Sequence, residues 1–340
     1  MSDSVSTLDE AKLGAYLDQH IESFEGLISA EKFAGGQSNP TFLLTAKSGQ
    51  YVLRRKPPGE LLKSAHAVDR EYKVLTALAG TKVPVAHAYH LCEDDDVIGS
   101  MFYVMSFEEG RILWDPALLD LDKEQRRPIH LEMVRVLAEM HNIDITAVGL
   151  ADYGKPGNYY ERQIGRWSKQ YRAAETHKID AMDSLIEWLP NNIPADDGEI
   201  RLIHGDYRLD NIMFHPTEPR AIAVLDWELS TLGHPLADLA YLCMCLRLTR
   251  DGSLKGLGGL DRGEVGVPTE EEMVKQYCEL RNIDDIENWN FYLTFSFFRL
   301  ASICQGVYKR AIMGNASNKQ ALETGNTTEP LAQMGMSLIK

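Results

Sequence analysis

Residues 204–211 are H-G-D-Y-R-L-D-N, and residues 224–228, a short distance further on, are V-L-D-W-E. Short apolar runs lie on both sides of the first stretch, and a further run, Ala221–Leu225, leads into the second. Apolar runs of this length predict short strands. The pattern therefore predicts a polar loop between two strands, followed by a carboxylate, Asp226, at the end of a third strand.

The polar side chains of these stretches have the chemistry that phosphoryl transfer needs. The carboxylate of Asp206 can accept the proton of a substrate hydroxyl and orient it for in-line attack. Asn211 and Asp226 supply hard oxygen ligands for a Mg²⁺ ion that bridges phosphates. Glu228 is either a ligand of a second Mg²⁺ or of its waters, or a structural carboxylate. A chance match is the alternative, and the combined spacing disfavours it.

Three upstream features agree with a nucleotide site. The loop G-G-Q-S-N-P-T, with Gly36, Ser38 and Asn39, is either a phosphate-binding loop or an ordinary turn. Arg54 ends the predicted strand Y-V-L-R, where it could reach the α- and β-phosphates or lie on the surface. Glu71 lies on the apolar face of a predicted helix. A carboxylate that faces inward needs a cationic partner, and Arg54 is the candidate.

The hydrophobic pattern changes near Gly110. Before this residue the chain alternates short strands with a hairpin turn and helices, and after it helical patterns dominate. In one of these helices Pro128 is predicted at the first helical position, ahead of an apolar stripe that starts at Ile129. The sequence therefore predicts a strand-rich first third and a mostly helical remainder.

Composition and charge disfavour several classes of protein. The 340 residues include 35 Lys plus Arg and 50 Asp plus Glu, for a formal net charge of −15. Such an acidic chain lacks the positive surface that binds nucleic acid, so no nucleic-acid partner is expected. Five cysteines without a C-x-x-C pair predict reduced thiols. No signal peptide or membrane span is predicted, and the expected location is the cytoplasm.

Together with G-H-P-L-A-D-L-A at residues 233–240, these motifs resemble the aminoglycoside phosphotransferase and choline-kinase-like family, which has a protein-kinase-like fold. The resemblance implies an α+β, two-lobed fold. A small β-rich N-lobe would cover residues 1–106, and a larger, mostly helical C-lobe would cover residues 107–340. It also implies ATP and Mg²⁺ as cofactors, with Asp206 as the catalytic base.

The same resemblance implies roles for further residues. Adenine would hydrogen-bond the backbone of an interlobe hinge that includes Met105 and Phe107. Asp238 would support the catalytic loop, and His204 is expected to brace it through a backbone hydrogen bond and not to transfer protons. Arg54 departs from the family pattern, which has a lysine at this position.

Longer stretches, among them Y-V-L-R-R-K-P-P-G and Q-G-V-Y-K-R, resemble the kinase domain that is fused ahead of some acyl-CoA dehydrogenases. This closer resemblance implies a small-molecule hydroxyl substrate, either a hydroxyacyl-CoA or a hydroxy acid, and a separate acyl-CoA dehydrogenase as the partner for the next step. Arg162, Arg166 and Lys169 share a helical face. They predict an anionic substrate such as the phosphates of CoA, or else a solvated helix face.

Two other functions stay open at the level of sequence. The same kinase chemistry could serve an aminoglycoside, a choline-like compound or a sugar alcohol, but a cationic acceptor calls for carboxylates in the cleft. The chain could instead be a non-catalytic nucleotide-binding module. The presence of Asp206, Asn211 and Asp226 together favours an enzyme.

Overall fold

The computed structural model describes residues 8–33, 39–57, 67–252, 254–314 and 321–339. The chain divides into two compact units. The first consists of Met1–Arg111, Met213–Pro216 and Ile222–Leu229, and the second of Ile112–Ile212, Thr217–Ala221 and Ser230–Lys340. The chain therefore contributes one long segment and two short ones to the first unit.

An antiparallel five-stranded sheet forms the framework of the first unit. Its strands are β1 (Leu27–Lys32), β2 (Thr41–Ala46), β3 (Gly49–Arg55), β4 (Ala88–Cys92) and β5 (Phe102–Ser106), in the order β1-β2-β3-β5-β4. Alternate residues of β2 are buried, as expected of a strand with one face on a core. The predicted hairpin turn joins β2 to β3, and Ala46 pairs with Gly49 across it.

Helices cover this sheet. Within the described part of the first unit they are α1 (Glu10–His20), α2 (Val68–Leu78) and α3 (Asp95–Ile98). Leu13 and Leu17 of α1 pack in a core that includes Phe42 of β2. The apolar face of α2 is buried, and Glu71 is buried with it. The helical spacing that buries this face therefore also carries a carboxylate into the interior.

Helices dominate the second unit. Over the described residues they are α4 (Lys123–His141), α5 (Tyr159–Ala174), α6 (Asp180–Asn191), α7 (Leu236–Arg247), α8 (Arg262–Val265), α9 (Glu270–Arg281), α10 (Trp289–Ile312), α11 (Ala321–Gly325) and α12 (Thr328–Ser337). The uniformly apolar α7 is buried nearly all round. The long helix α10 packs against α5, α7 and α12.

Short strands frame the two polar stretches with which the sequence analysis began. The remaining strands of the described chain are β6 (Arg111–Ile112), β7 (Arg201–Ile203), β8 (Ile212–Phe214), β9 (Ala221–Val224) and β10 (Thr231–Gly233). β7 pairs with β10, and β8 lies between β6 and β9. One 3₁₀ turn, Leu209–Asn211, leads into β8, and another, Trp227–Leu229, comes shortly after β9.

The predicted start of α4 is wrong. The helix begins at Lys123, so Pro128 lies inside it and not at its first position. A proline at that place cannot donate a hydrogen bond to the carbonyl of Glu124. Because Glu124 is an exposed residue of the first turn, water can replace the missing donor. The apolar stripe from Ile129 onward is buried as predicted.

The described residues have an α+β fold with a strand-rich first unit and a mostly helical second unit, which confirms the predicted fold class. All five cysteines are free thiols. Among the helices of the described ranges, none combines the length and the apolar character needed to cross a membrane.

Candidate active site

The loop between β7 and β8 carries Asp206 in the second unit. Asn211 directs its side-chain amide to this residue, donating to the backbone carbonyl of Asp206 at 2.9 Å and to its Oδ2 at 3.1 Å. A quarter of the Asp206 side chain, 25%, stays exposed. A carboxylate that is fixed in orientation yet open to solvent can accept a proton from a substrate hydroxyl.

Arg208 supplies positive charge beside this carboxylate. Its Nη2 pairs with Oδ2 of Asp210 at 2.5 Å, and its Nε lies 3.9 Å from Oδ1 of Asp206. Burial acts to lower the pKa of Arg208, but the charges of Asp206 and Asp210 outweigh burial and raise it. The guanidinium therefore stays a cation next to the carboxylate of Asp206.

A buried carboxylate fixes the start of the same loop. Asp238, in the first turn of α7, accepts hydrogen bonds from the backbone amides of His204 at 2.6 Å and Gly205 at 2.8 Å. Its Oδ2 lies 3.5 Å from Nε2 of His141, whose Nδ1 lies 2.7 Å from Oη of Tyr277. Burial acts to raise the pKa of Asp238, but its interactions with His141 and the backbone amides lower it below the usual value.

Three further side chains hold the loop from other directions. The imidazole of His204 is fully buried, and its Nδ1 accepts a hydrogen bond from the backbone N–H of Asp206 at 3.2 Å. Nη2 of Arg299 donates to the carbonyl of Gly205 at 2.5 Å. The hydroxyl of Tyr207 donates to the carbonyl of Met133 in α4 at 2.8 Å. The backbone around Asp206 is thus fixed by donors and acceptors from several helices.

In the first unit, Arg54 connects two carboxylates. Its Nε lies 2.9 Å from Oε2 of Glu71, and its Nη2 lies 2.6 Å from Oδ1 of Asp226. Burial acts to lower the pKa of Arg54, but the charges of Glu71 and Asp226 raise it overall. A planar guanidinium can meet both acids at once, which a single ammonium point charge does less well.

Glu71 makes two further hydrogen bonds although it is 1% exposed. Nδ2 of Asn39 donates to Oε1 at 2.7 Å, and the hydroxyl of Tyr103 donates to Oε2 at 3.1 Å. Burial raises the pKa of Glu71 to about 7 against the opposing effect of Arg54. Asn39, predicted as a donor to phosphate, is itself buried and directs its side-chain nitrogen to Glu71.

Asp226 has an unusual backbone. Its φ is +60°, in the left-handed region that few residues other than glycine adopt. The next residue, Trp227, is buried, and its indole N–H donates to the carbonyl of Val224 at 3.0 Å. The side chain of Asp226 is 36% exposed, and Glu228 lies half-buried in the same turn. A strained conformation of this kind at a polar residue is typical of functional sites.

The remaining residues that were predicted to bind nucleotide are Gly36, Ser38, Met105 and Phe107. Gly36 and Ser38 lie outside the described residues. Met105 lies in β5 and pairs with residues of β3 and β4, and Phe107 follows the end of that strand. Both side chains are half-buried.

The basic residues predicted to contact substrate lie on α5. Arg166 and Lys169 are exposed. Arg162 is half-buried, and its Nη2 donates to a backbone carbonyl of the preceding loop at 2.8 Å. Arg172, at the end of the helix, is paired with Asp183 of α6 at 2.5 Å. Arg166 and Lys169 are therefore exposed cations in the middle of α5, with Arg162 next to them.

Three residues that contact the predicted site residues or the loop between β7 and β8 were not predicted from the sequence: Tyr103, His141 and Arg299. Tyr103 is the cross-strand partner of Arg54, so a correct pairing of β3 with β5 would indicate it. Arg299 is a charged residue inside the apolar run of α10, and such a residue requires a buried partner. His141 has no comparable signal, because a histidine at a helix end is also typical of packing.

The chain is similar in sequence to several known proteins. Residues 29–268 match the family model described as "Phosphotransferase enzyme family". Acyl-CoA dehydrogenase family member 11 of Mus musculus is 44% identical over 349 residues, which cover 100% of this chain and 45% of the mouse protein. The chain thus spans less than half the length of this curated relative.

Solved structures show the same architecture. A Ralstonia eutropha protein that carries a provisional assignment as an aminoglycoside phosphotransferase is 50% identical, with a TM-score of 0.90 over 98% of both chains. Spectinomycin phosphotransferase, solved with ADP and spectinomycin, is 13% identical, with a TM-score of 0.61 over 97% of this chain and 98% of the other. These likenesses confirm the resemblance that the motifs predicted.

Proposed function

The chain belongs to the phosphotransferase enzyme family, and on that premise we propose that it transfers the γ-phosphoryl group of ATP to the hydroxyl of a hydroxyacyl-CoA or hydroxy acid. Membership in this family confirms the predicted enzyme class, a phosphotransferase. The observation that carries the proposal is the catalytic loop, in which Asp206 is partly exposed, bonded to Asn211 and anchored through Asp238.

Asp206 is the proposed base. Its Oδ2 accepts a hydrogen bond from Asn211, and its Oδ1 is the oxygen that would take the proton of the acceptor hydroxyl. Arg208 supplies positive charge beside the proposed base, with its Nε 3.9 Å from Oδ1 of Asp206. The fixed backbone on both sides of Asp206 holds that oxygen in one place, which is how phosphotransferases gain most of their rate.

The side chains that we propose as metal ligands carry the oxygens that Mg²⁺ prefers. Asn211 donates its side-chain nitrogen to Asp206, so its side-chain oxygen could bind the ion, and the carboxylates of Asp226 and Glu228 are hard ligands. Bound with ATP, Mg²⁺ would neutralise charge on the phosphates. In the proposal Arg54, Asn39 and the loop with Gly36 and Ser38 contact the phosphates or the residues that hold them. Glu71 holds Arg54, and the backbone at Met105 and Phe107 binds adenine. The ADP complex of spectinomycin phosphotransferase supports ATP as the donor.

Two observations favour an anionic acyl acceptor. The exposed cations Arg166 and Lys169 suit the phosphates of CoA, and the mouse relative is named as an acyl-CoA dehydrogenase. Phosphorylation converts a hydroxyl into a better leaving group. The product therefore suits an enzyme that eliminates phosphate and then works on the acyl-CoA, and we include a separate acyl-CoA dehydrogenase as the proposed partner.

An aminoglycoside kinase is the second candidate, because the Ralstonia eutropha protein is 50% identical and carries that provisional assignment. A polycationic acceptor would be repelled by the positive charges of Arg166 and Lys169 on α5. The same electrostatic argument disfavours choline.

ADP release with Mg²⁺-ATP tests both candidates. The panel consists of 3-, 4- and 5-hydroxyacyl-CoAs, the corresponding free hydroxy acids, kanamycin and choline, with Asp206→Ala as the blank. We expect turnover of a hydroxyacyl-CoA or a hydroxy acid that the Asp206→Ala variant loses by at least a factor of about 10³.

The other results separate the alternatives. Turnover of kanamycin or choline alone would replace the proposed acceptor class and keep the kinase. Unchanged turnover in Asp206→Ala would remove this residue as the base. ATP binding without turnover of any compound on the panel would favour a non-catalytic nucleotide-binding module.

A further inference from the structure

α10 makes polar contacts with two different parts of the second unit. Arg299 is 7% exposed and bonds the catalytic loop through the carbonyl of Gly205. Gln305 and Lys309 follow further along the same helix and bond the end of α5. These two residues belong to the stretch Q-G-V-Y-K-R, which no part of the proposed function uses. A polar side chain buried on an otherwise apolar helix needs a specific partner, and the buried Arg299 and Gln305 each have one.

The contact of Arg299 acts directly on the peptide group that precedes the base. The carbonyl of Gly205 and the N–H of Asp206 belong to the same planar peptide group. Arg299 donates to that carbonyl at 2.5 Å, and His204 accepts from that N–H at 3.2 Å. The peptide is therefore held at both ends. A charged donor makes this a strong hydrogen bond.

The guanidinium of Arg299 is itself fixed between two aromatic rings. Its central carbon lies 5.7 Å from the ring centre of Trp167 in α5 and 5.3 Å from that of Tyr241 in α7. The central carbon of the Arg166 guanidinium lies 5.5 Å from the ring centre of the same Trp167. Cation–π contacts of this kind stabilise the arrangement. Arg299 thus contacts both the catalytic loop and the helix that carries the exposed cations.

Gln305 and Lys309 hold the last turn of α5. Nε2 of Gln305 donates to the carbonyl of Ala174 at 3.0 Å and to Oγ1 of Thr176 at 3.0 Å. Nζ of Lys309 donates to the carbonyl of Ala173 at 2.8 Å. The last carbonyls of a helix lack partners within it, and a cation near them also stabilises the negative end of the helix dipole. The end of α5 is thereby attached to α10.

We propose that α10 is a positioning helix that sets the distance between Asp206 and the cations of α5, and so decides which hydroxyl of the acceptor is phosphorylated. Arg299 and Lys309 are ten residues apart, a rise of about 15 Å along a rigid helix. An acceptor whose anionic end is bound by Arg166 and Lys169 then presents one hydroxyl position to the base. The inference rests on the proposed function in taking these cations as the acceptor contacts.

Kinetic selectivity tests the positioning role. The variants Gln305→Leu and Lys309→Met remove the donors that hold α5, and Arg310→Met is the matched control because Arg310 is an exposed cation of the same helix. We expect the ratio of kcat/KM between the best and the second-best of the 3-, 4- and 5-hydroxyacyl-CoAs to fall at least fivefold in the first two variants. The control should stay within twofold of wild type, and the KM for ATP should not change.

The role of Arg299 is tested by kcat and not by the selectivity between acceptors. Arg299→Gln should lower kcat for the best acceptor at least tenfold with an unchanged KM for ATP, because the peptide before Asp206 loses its charged donor. Arg299→Lys should recover part of kcat, since an ammonium can still donate to the carbonyl of Gly205. Loss of thermal stability without a change in kcat would show a purely structural residue and would overturn this part of the proposal.

Amide hydrogen exchange gives a readout that needs no substrate. Exchange at residues 170–174 should be faster in Gln305→Leu and Lys309→Met than in Arg310→Met. Equal exchange rates would overturn the proposal, and so would faster exchange with unchanged selectivity. If wild type turns over neither a hydroxyacyl-CoA nor a hydroxy acid, the proposed acceptor is wrong, and the exchange rates alone then decide whether α10 positions α5.

Discussion

Glu71 couples the stability of the first unit to pH. It is a carboxylic acid with 1% exposure, and burial raises its pKa to about 7 although Arg54 opposes the shift. A group whose pKa is higher in the folded state than in the unfolded state binds its proton more tightly when folded. Glu71 therefore contributes stability at low pH, and this contribution is lost as the pH rises through about 7.

We expect wild type to lose unfolding free energy relative to Glu71→Gln between pH 5.5 and pH 8, by on the order of 2 kcal/mol. Glutamine keeps the shape of the protonated acid but does not titrate, so the difference between the two proteins isolates Glu71. Urea unfolding at several pH values across this range measures it. An unchanged difference between wild type and the variant across this range would instead mean that Arg54 keeps Glu71 ionised throughout.

For individual residues, the sequence predicts burial more successfully than it predicts the hydrogen-bond partners of each side chain. Helical spacing places Glu71 inside and makes Arg54 its candidate partner, and the two form an ion pair. The bonds from Asn39 and Tyr103 could not be predicted, because they depend on strand pairing and on the direction of a loop side chain. Spacing along one helix contains no information on either.

Two glycines of the second unit have opposite surroundings. A Cβ at Gly165, on α5, would meet no atom within 4 Å. A Cβ at Gly233, in β10, would lie 2.7 Å from Cδ1 of Ile203 and 2.7 Å from the ring of Tyr159. The first glycine has room for a side chain, and the second allows close packing of a strand pair against α5.

We expect Gly165→Ala to raise the unfolding free energy by about 0.5–1 kcal/mol, because alanine favours the helix and loses less chain entropy on folding. Gly233→Ala should lower it by about 1–3 kcal/mol, because the methyl group overlaps packed neighbours. Urea unfolding of both variants at one pH gives the comparison. Destabilisation by Gly165→Ala would be inconsistent with a regular helix at this point of α5.

The elements that the sequence predicts well are the apolar ones. The strands around the catalytic loop, the buried α7 and the long α10 all follow from continuous apolar runs. α9 was not predicted, although Thr269 and Glu272 form a capping box at its start, a signal that the sequence contains. The start of α4 was predicted too late because Pro128 was assigned to the first helical position. A proline in the second turn is also possible where the carbonyl that it leaves without a donor is exposed to water.

For the whole molecule, the change of pattern near Gly110 predicted a strand-rich first third and a mostly helical remainder, and the family resemblance implied the α+β fold class. The pattern was not sufficient to show that Met213–Pro216 and Ile222–Leu229 group with the first unit. A short apolar strand has the same pattern whichever unit contains it, so hydrophobic periodicity cannot assign Asp226 to a unit. That assignment depends on long-range contacts, such as the ion pair between Asp226 and Arg54.

If the chain binds nucleotide, its unfolding free energy rises with the nucleotide concentration. A ligand that binds the folded chain and not the unfolded chain raises the unfolding free energy by about 2.7 kcal/mol at a concentration of 100 times its Kd. We expect Mg²⁺-ATP to raise the unfolding free energy of wild type by an amount that follows this relation, and ATP with EDTA to do so less strongly. Asp226→Asn should lose the Mg²⁺-dependent part, because the amide replaces a charged ligand with a neutral one.

Asp206→Asn separates binding from catalysis in the same measurement. Its carboxylate is the proposed base and not a proposed Mg²⁺ ligand, so this variant should keep the full stabilisation by Mg²⁺-ATP while it releases no ADP. Full Mg²⁺-dependent stabilisation of Asp226→Asn would remove Asp226 from the metal site. Loss of stabilisation in Asp206→Asn would mean that Asp206 takes part in nucleotide binding, and its assignment as a base acting on the acceptor hydroxyl would then be wrong.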